Sequence, residues 1–254
     1  MGVKQFRGTG RRGLVRGLAA VVFVVGAGLP RAVASDDAIR LAPGRPMVIE
    51  GVRTSKKVVA LTFDDGPDPR WTPAILAALD RYHAHATFFM EGQFVDRWPD
   101  LARQVVAHGN EVGNHTYSHP DLRALDTVHV TAQAMQTTAA FQRAGLPRPF
   151  YFRPPKGLLD AKAEAGVANA GLLIVEWTPG LCIEKWARGH TPEEAVAPML
   201  ARLGPGEIIL GHDGGIPNRA RTVAAVPLLL ARLRARGYRV VSIGELLKLT
   251  GATS

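Results

Sequence analysis

The chain has 254 residues, 46% of them apolar and 21% charged, with a mean hydropathy of +0.02. That balance supports a sizeable core and excludes a disordered or fibrous chain. The net charge of +9 is misleading, because six of the 31 basic residues (Lys4, Arg7, Arg11, Arg12, Arg16, Arg31) and none of the 22 acids fall within residues 1–34, leaving +3 for the remainder. Basicity therefore argues for no nucleic-acid partner.

Residues 1–34 read as an export signal: a basic front, the 13-residue apolar run Gly17–Leu29, and a small-x-small site at Ala32–Ala34. The run is short for a bilayer span, so an uncleaved anchor is the lesser alternative, and no stable membrane partner is expected once the signal is removed. The chain is thus expected to be exported, to the periplasm or the exterior. The single cysteine, Cys182, excludes an intramolecular disulfide and a zinc cluster built on cysteines.

Residues 35–56 form a polar lead-in containing Pro and Gly, with one short strand at Met47–Val52. Residues 57–250 then alternate short apolar runs with helical patterns. The strands fall at Val58–Phe63, Ala86–Met90, Glu111–Asn114, Phe150–Phe152, Leu172–Glu176, Glu207–Leu210 and Tyr238–Ser242. Thr72 with Pro73, and Thr191 with Pro192 and Glu194, signal helix starts, the latter a capping box. Further helices are expected over 100–108, 128–144, 161–170 and 223–236. About seven strand–helix repeats predict one α/β domain, a closed or nearly closed (β/α) barrel of about seven parallel strands with outer helices.

In such a barrel the residues following each strand meet at one mouth. They are Asp64-Asp65, His115 with His119, Arg153, Glu176-Trp177 and His212-Asp213. The spacing of His115 and His119 turns both imidazoles one way in a helical or turn-like segment. With one carboxylate they make a two-His, one-acid set for a divalent cation; the motif alone reads more readily as two histidines in a polar loop, and its place after a strand beside the Asp pair reverses that. One aspartate of the pair can then bind the cation while the other stays free as a base, although Asp-Asp-Gly is also ordinary turn chemistry.

The segments "TFDDGP", "NHTYSHP", "FRPP" and "IILGHD" resemble, in order and spacing, the motifs of the NodB-type polysaccharide deacetylases, carbohydrate esterase family 4, over residues 58–247. The resemblance implies a distorted (β/α) barrel and a metal-dependent hydrolase that removes N-acetyl groups from a GlcNAc-containing polysaccharide or oligosaccharide, with chitin oligomers, peptidoglycan and exopolysaccharide all open. Acetylxylan O-acetyl esterase and a weakly active carbohydrate-binding relative are the alternatives. By the same resemblance Asp65, His115 and His119 hold one divalent metal ion, zinc first, cobalt or another divalent ion otherwise. Asp64 is the catalytic base, Arg153 orients it, and His212 is the general acid. Leu210 lines the acetyl-methyl pocket, and the backbone amide near Lys156 is the oxyanion donor. The family carries a Trp followed by Asp-x-x-Asp-Trp, whose acid orients the histidine. Here "EWTPGLCIEKWARG" has no Asp, so Glu184, ahead of Trp186, is the expected replacement, with Glu176 second; Trp186 is a further candidate for the acetyl pocket.

Overall fold

The computed structural model describes residues 38–42, 45–187, 191–216 and 218–250; the expected export signal lies outside them. Nine strands are described: β1 (Ala38–Ala42), β2 (Arg45–Arg53), β3 (Val58–Gly66), β4 (Thr87–Met90), β5 (Glu111–Asn114), β6 (Tyr151–Phe152), β7 (Leu173–Val175), β8 (Ile208–His212) and β9 (Arg239–Val241). They form one sheet in the order β1-β2-β7-β6-β5-β4-β3-β8, with β9 on the first residues of β3. Every pairing is parallel except β1 with β2. The helices are α1 (Thr72–Tyr82), α2 (Gly92–Arg97), α3 (Pro99–Ala107), α4 (Thr127–Arg143), α5 (Ala161–Asn169), α6 (Ile183–Ala187), α7 (Pro192–Arg202), α8 (Ala220–Ala235) and α9 (Ile243–Lys248).

The sheet curls until its ends meet. Gly51 of β2 bridges to Glu207 just ahead of β8, and the Val52 amide donates to Gly206 O at 2.8 Å. Gly206 has φ +76°, and a Cβ there would stand 1.9 Å from Val52 O, so only glycine permits this closure. The lead-in is therefore part of the barrel. β1 was not expected because an edge strand paired on one side and half-buried carries little hydrophobic pattern.

β3 shows how the core positions the site. Its residues are buried on both faces, as parallel strands usually are. Val59, Leu61 and Phe63 pack outward into the helix layer with Ile75, Leu79, Phe88, Phe141 and Leu229. Val58 and Ala60 point into the barrel with Ile49, Phe89, Val175, Ile208 and Val241. The period of two then carries Thr62 and Asp64 to the inner face. On β8, Ile208 is inward and Ile209 outward, so the same period takes Leu210 and His212 inward. The register pairs Asp64 with His212.

The second expected helix start is present as a capping box at Thr191 and Glu194. The first differs: Trp71 is the N-cap of α1, and Thr72 is the first helical residue. The Thr72 hydroxyl instead donates to Asp213 Oδ2 at 2.6 Å, a buried carboxylate that competes for it more strongly than a helix terminus does.

Candidate functional site

Strand alternation would send adjacent aspartates to opposite faces, yet both face the mouth. The β3–β4 register slips between Asp64 and Gly66, and Asp65 has φ +73°. A bulge at a strand end re-aims a side chain. His115 Nε2 consequently lies 3.3 Å from Asp65 Oδ1 and 3.9 Å from Asp64 Oδ2. The Gly214–Gly215 turn folds over Asp65 from the far side, where a Cβ on Gly214 would stand 2.0 Å from Asp65 O.

His115 and His119 come from the loop after β5, which is not helical: Thr116 and His119 have φ of +67° and +56°. Asn114 holds the loop by accepting from the Thr116 amide (3.0 Å) and donating to Ala134 O (2.8 Å), and Gln133 Oε1 accepts from the amides of Tyr117 and Ser118. His115 Nδ1 donates to Arg153 O at 2.7 Å, which leaves Nε2 as the lone-pair nitrogen facing Asp65. His119 Nε2 lies 3.4 Å from the same Asp65 Oδ1.

Asp65 Oδ1 is buried and makes no hydrogen bond, although Oδ2 accepts from Arg219 at 3.0 Å. A buried orphan acceptor facing two imidazole lone pairs calls for an electrophile. Donors sharing a tetrahedral ion at about 2.0–2.2 Å stand roughly 3.4 Å apart, which the 3.3 and 3.4 Å separations match. The set Asp65, His115 and His119 therefore fits a divalent cation. The protonation pattern agrees. Burial alone would raise the Asp65 carboxyl, but His115, His212 and His119 hold it well below the carboxylate range. Burial would lower His115, yet Asp64 and Asp65 push it up to about 9, so the two carboxylates favour positive charge at this position.

Asp64 has a different neighbour. Its Oδ1 accepts from Arg153 Nη1 at 2.9 Å. Arg153 is wholly buried and also donates to Thr62 Oγ1 (2.7 Å), Val175 O (3.1 Å) and Glu176 O (3.2 Å), with its guanidinium 4.2 Å from the Phe89 ring centroid. Asp64 Oδ2 is thus left toward the mouth.

Glu184, at the start of α6, reaches His212. Its Oε2 is 2.9 Å from His212 Nδ1, at ion-pair distance but out of hydrogen-bond alignment, and its Oε1 accepts from the His212 amide (3.0 Å) and the Thr222 hydroxyl (2.8 Å). Burial disfavours charge on both partners. The pairing overrides it, raising His212 and lowering Glu184. Cys182 donates its thiol to Glu184 Oε2 at 3.4 Å, and burial, reinforced by Glu184, pushes that thiol up to about 12. Glu176, the second choice, is not the partner: its carbonyl serves Arg153, and its carboxylate lies beside the Gly157 turn. Leu210 is buried on β8 beside Cys182. Lys156 sits exposed with φ +61° in the turn Pro155–Gly157. The backbone of Trp186 is in α6, and its side chain lies outside the described residues.

Arg219 and Glu91 carry no motif that singles them out, and Asp213, the last residue of the IILGHD segment, falls at the mouth with no role that the sequence assigns. Arg219 grips Asp65 and Gly214 O. Asp213 is buried: burial, with the charges of Asp65 and Asp64, pushes its carboxyl up to about 7. Glu91 is also pushed up to about 7, by burial and by Asp65 against the pull of Gln93 and His115. Burial decides the two carboxyls, and only the fold reveals it.

Replacing His119 with Ala removes one of three donors. Affinity for zinc or cobalt is expected to drop at least about 100-fold, beyond the 10–100-fold cost of losing a supporting neighbour. Titration against a chromophoric chelator checks this, and unchanged affinity removes His119 from the set.

Comparison with known proteins places this geometry. A family model described as polysaccharide deacetylase matches residues 51–175. The chain is 36% identical over 197 residues to a peptidoglycan-N-acetylglucosamine deacetylase of Bacillus cereus, covering 78% of this chain and 91% of that protein. It is 36% identical over 201 residues to a chitooligosaccharide deacetylase of Bradyrhizobium sp., covering 74% and 90%. Among solved structures, the family 4 carbohydrate esterase of Streptomyces lividans, in complex with acetate, superposes with a TM-score of 0.65 at 33% identity, covering 74% of this chain and 93% of that one. Motifs, barrel and relatives agree, and the chain belongs to the polysaccharide deacetylase family, carbohydrate esterase family 4.

Proposed function

We propose that the chain hydrolyses N-acetyl groups on a GlcNAc-containing polysaccharide, releasing acetate and a free amine. The observation that carries this reading is the division of labour between adjacent carboxylates: Asp65 Oδ1 faces two imidazoles without a hydrogen bond, while Asp64 is tied to Arg153 through Oδ1 alone. Asp65, His115 and His119 would hold a divalent cation, zinc by preference for this donor set. When bound, the cation acidifies water and draws charge from a carbonyl oxygen.

The chain's own groups do the rest. Asp64 Oδ2 accepts the proton of the attacking water, and Arg153 keeps Asp64 oriented. The amide of Lys156 faces developing charge on the acetamide oxygen. His212, held protonated by Glu184, donates to the departing amine. Leu210, buried on β8, lines the acetyl-methyl pocket. The names of relatives acting on peptidoglycan and chitooligosaccharides support the substrate class. The basic, apolar and small-residue order of residues 1–34 supports export. Among the described residues no helix is long and apolar enough to cross a membrane.

Acetate release from N-acetylchitooligosaccharide, peptidoglycan and acetylated xylan, with and without chelator, tests the reading. Chelator-sensitive release from a GlcNAc polymer is expected. Release from xylan alone makes the chain an O-acetyl esterase, and binding without release from any of the three contradicts hydrolysis. Glu184→Gln removes the charge that raises His212. The His212 pKa then falls, the alkaline limb of kcat/KM moves to lower pH, and the rate at pH 8 drops about tenfold or more. A pH profile identical to wild type refutes the pairing's role.

A further inference from the structure

Cys182, the chain's single thiol, plays no part in the chemistry above. It bridges to Leu210 at the entry to α6, which sets Sγ 3.4 Å from Glu184 Oε2, itself 2.9 Å from His212 Nδ1. Sulfur, carboxylate oxygen and ring nitrogen all lie within 4.8 Å of one another. Two features make this more than a thiol near a carboxylate. His212 Nδ1 is buried and has no aligned hydrogen bond. Glu184 Oε1 is fixed by the Thr222 hydroxyl and the His212 amide, so Oε2 is turned toward the sulfur and the ring. Thiolate, imidazole and carboxylate are a donor set suited to zinc or cobalt. Bonds of about 2.0–2.3 Å at tetrahedral angles put donors roughly 3.3–3.6 Å apart; the sulfur–carboxylate separation of 3.4 Å already matches, and the carboxylate–imidazole separation of 2.9 Å has to open slightly. Among the described residues Glu184 also lines a cavity of about 440 Å³ with Thr222 and Arg219.

We propose that Cys182, Glu184 and His212 form a second, inhibitory site for a thiophilic divalent cation. Binding releases the thiol proton and any Nδ1 proton to solvent, and each atom donates a lone pair to the ion. Nothing is oxidised. The imidazole, engaged through Nδ1, then has no imidazolium form. The proton it retains on Nε2 is far less acidic than that of the Glu184-paired cation, and the proposed proton donation to the amine stops. Inhibition rests on the functional reading of His212 given above; binding does not.

The test is a cobalt titration of the full chain, followed by absorbance and by acetate release from chitooligosaccharide. Beyond the first equivalent the wild type should develop thiolate-to-cobalt charge-transfer absorption, and acetate release should fall on the order of 100-fold from its one-equivalent value, the low end of what a general acid contributes. Cys182→Ser and Cys182→Ala should both lack the band and lose the inhibition by excess cobalt. His119→Ala should keep the band, because the two sites share no residue. Absence of the band in wild type at saturating cobalt, or its survival in both cysteine variants, overturns the proposal. A cysteine-dependent band in a chain that releases acetate from no glycan sustains the second site and overturns the deacetylase reading instead.

Discussion

Asp64→Asn is expected to lower acetate release by about 10²–10⁴-fold, the usual contribution of a general base, with cation affinity retained. The substitution is nearly isosteric. The amide oxygen can keep the hydrogen bond that Asp64 Oδ1 accepts from Arg153 at 2.9 Å, while the NH₂ replaces the oxygen facing the mouth with a group unable to take a proton. Asp65→Asn should give the opposite signature, because Asp65 Oδ1 is the oxygen shared by His115 and His119 at 3.3 and 3.4 Å: loss of the cation first, and of activity as a consequence. Rate measured at saturating metal, alongside metal content after dialysis, separates the two. Turnover within tenfold of wild type in Asp64→Asn removes Asp64 as the base. Loss of metal from Asp64→Asn makes it a ligand instead.

Arg153→Met is expected to cost about 3–5 kcal/mol of folding stability as well as activity, because it strips a buried carboxylate of its cation. Arg153 is fully buried and donates to Asp64, Thr62, Val175 and Glu176, so the variant also takes a hydrogen bond from a buried hydroxyl and from two carbonyls. At roughly 2–4 °C per kcal/mol for a chain of this size, Tm should fall by about 6–20 °C. Lysine at this position cannot reproduce the planar fork and should recover little. Combining Arg153→Met with Asp64→Asn should regain part of the loss, because the uncompensated charge goes with it. Thermal unfolding of the four proteins checks this. A single variant within 1 °C of wild type, or strictly additive losses, contradicts a coupled buried pair.

The barrel was legible because β3, β4 and β8 carry apolar runs bounded by turn residues, and because strand ends in such folds converge. Thus the positions of Asp64, His115, Arg153 and His212 at one mouth followed from their place after strands. What the sequence withheld was local backbone chemistry and burial. The bulge that brings Asp65 to the same side as Asp64 has no residue signature beyond the acid pair itself. Thr72 resembled an N-cap because its hydroxyl and Pro73 match the pattern, and only the fold brings Asp213 within 2.6 Å. Arg219 was hidden for the same reason: its partner, Asp65, is 154 positions away. Glu184 and Glu176 were separable only in three dimensions, where α6 presents one to His212 and the strand end directs the other to the Gly157 turn.

The most direct measurement is an anomalous difference map from a crystal of the chain supplied with one equivalent of zinc. A single peak is expected within about 2.0–2.2 Å of Asp65 Oδ1, His115 Nε2 and His119 Nε2, with Asp64 outside the coordination sphere and still bonded to Arg153. A peak ligated by both aspartates, or one found elsewhere with these three donors bare, would contradict the account.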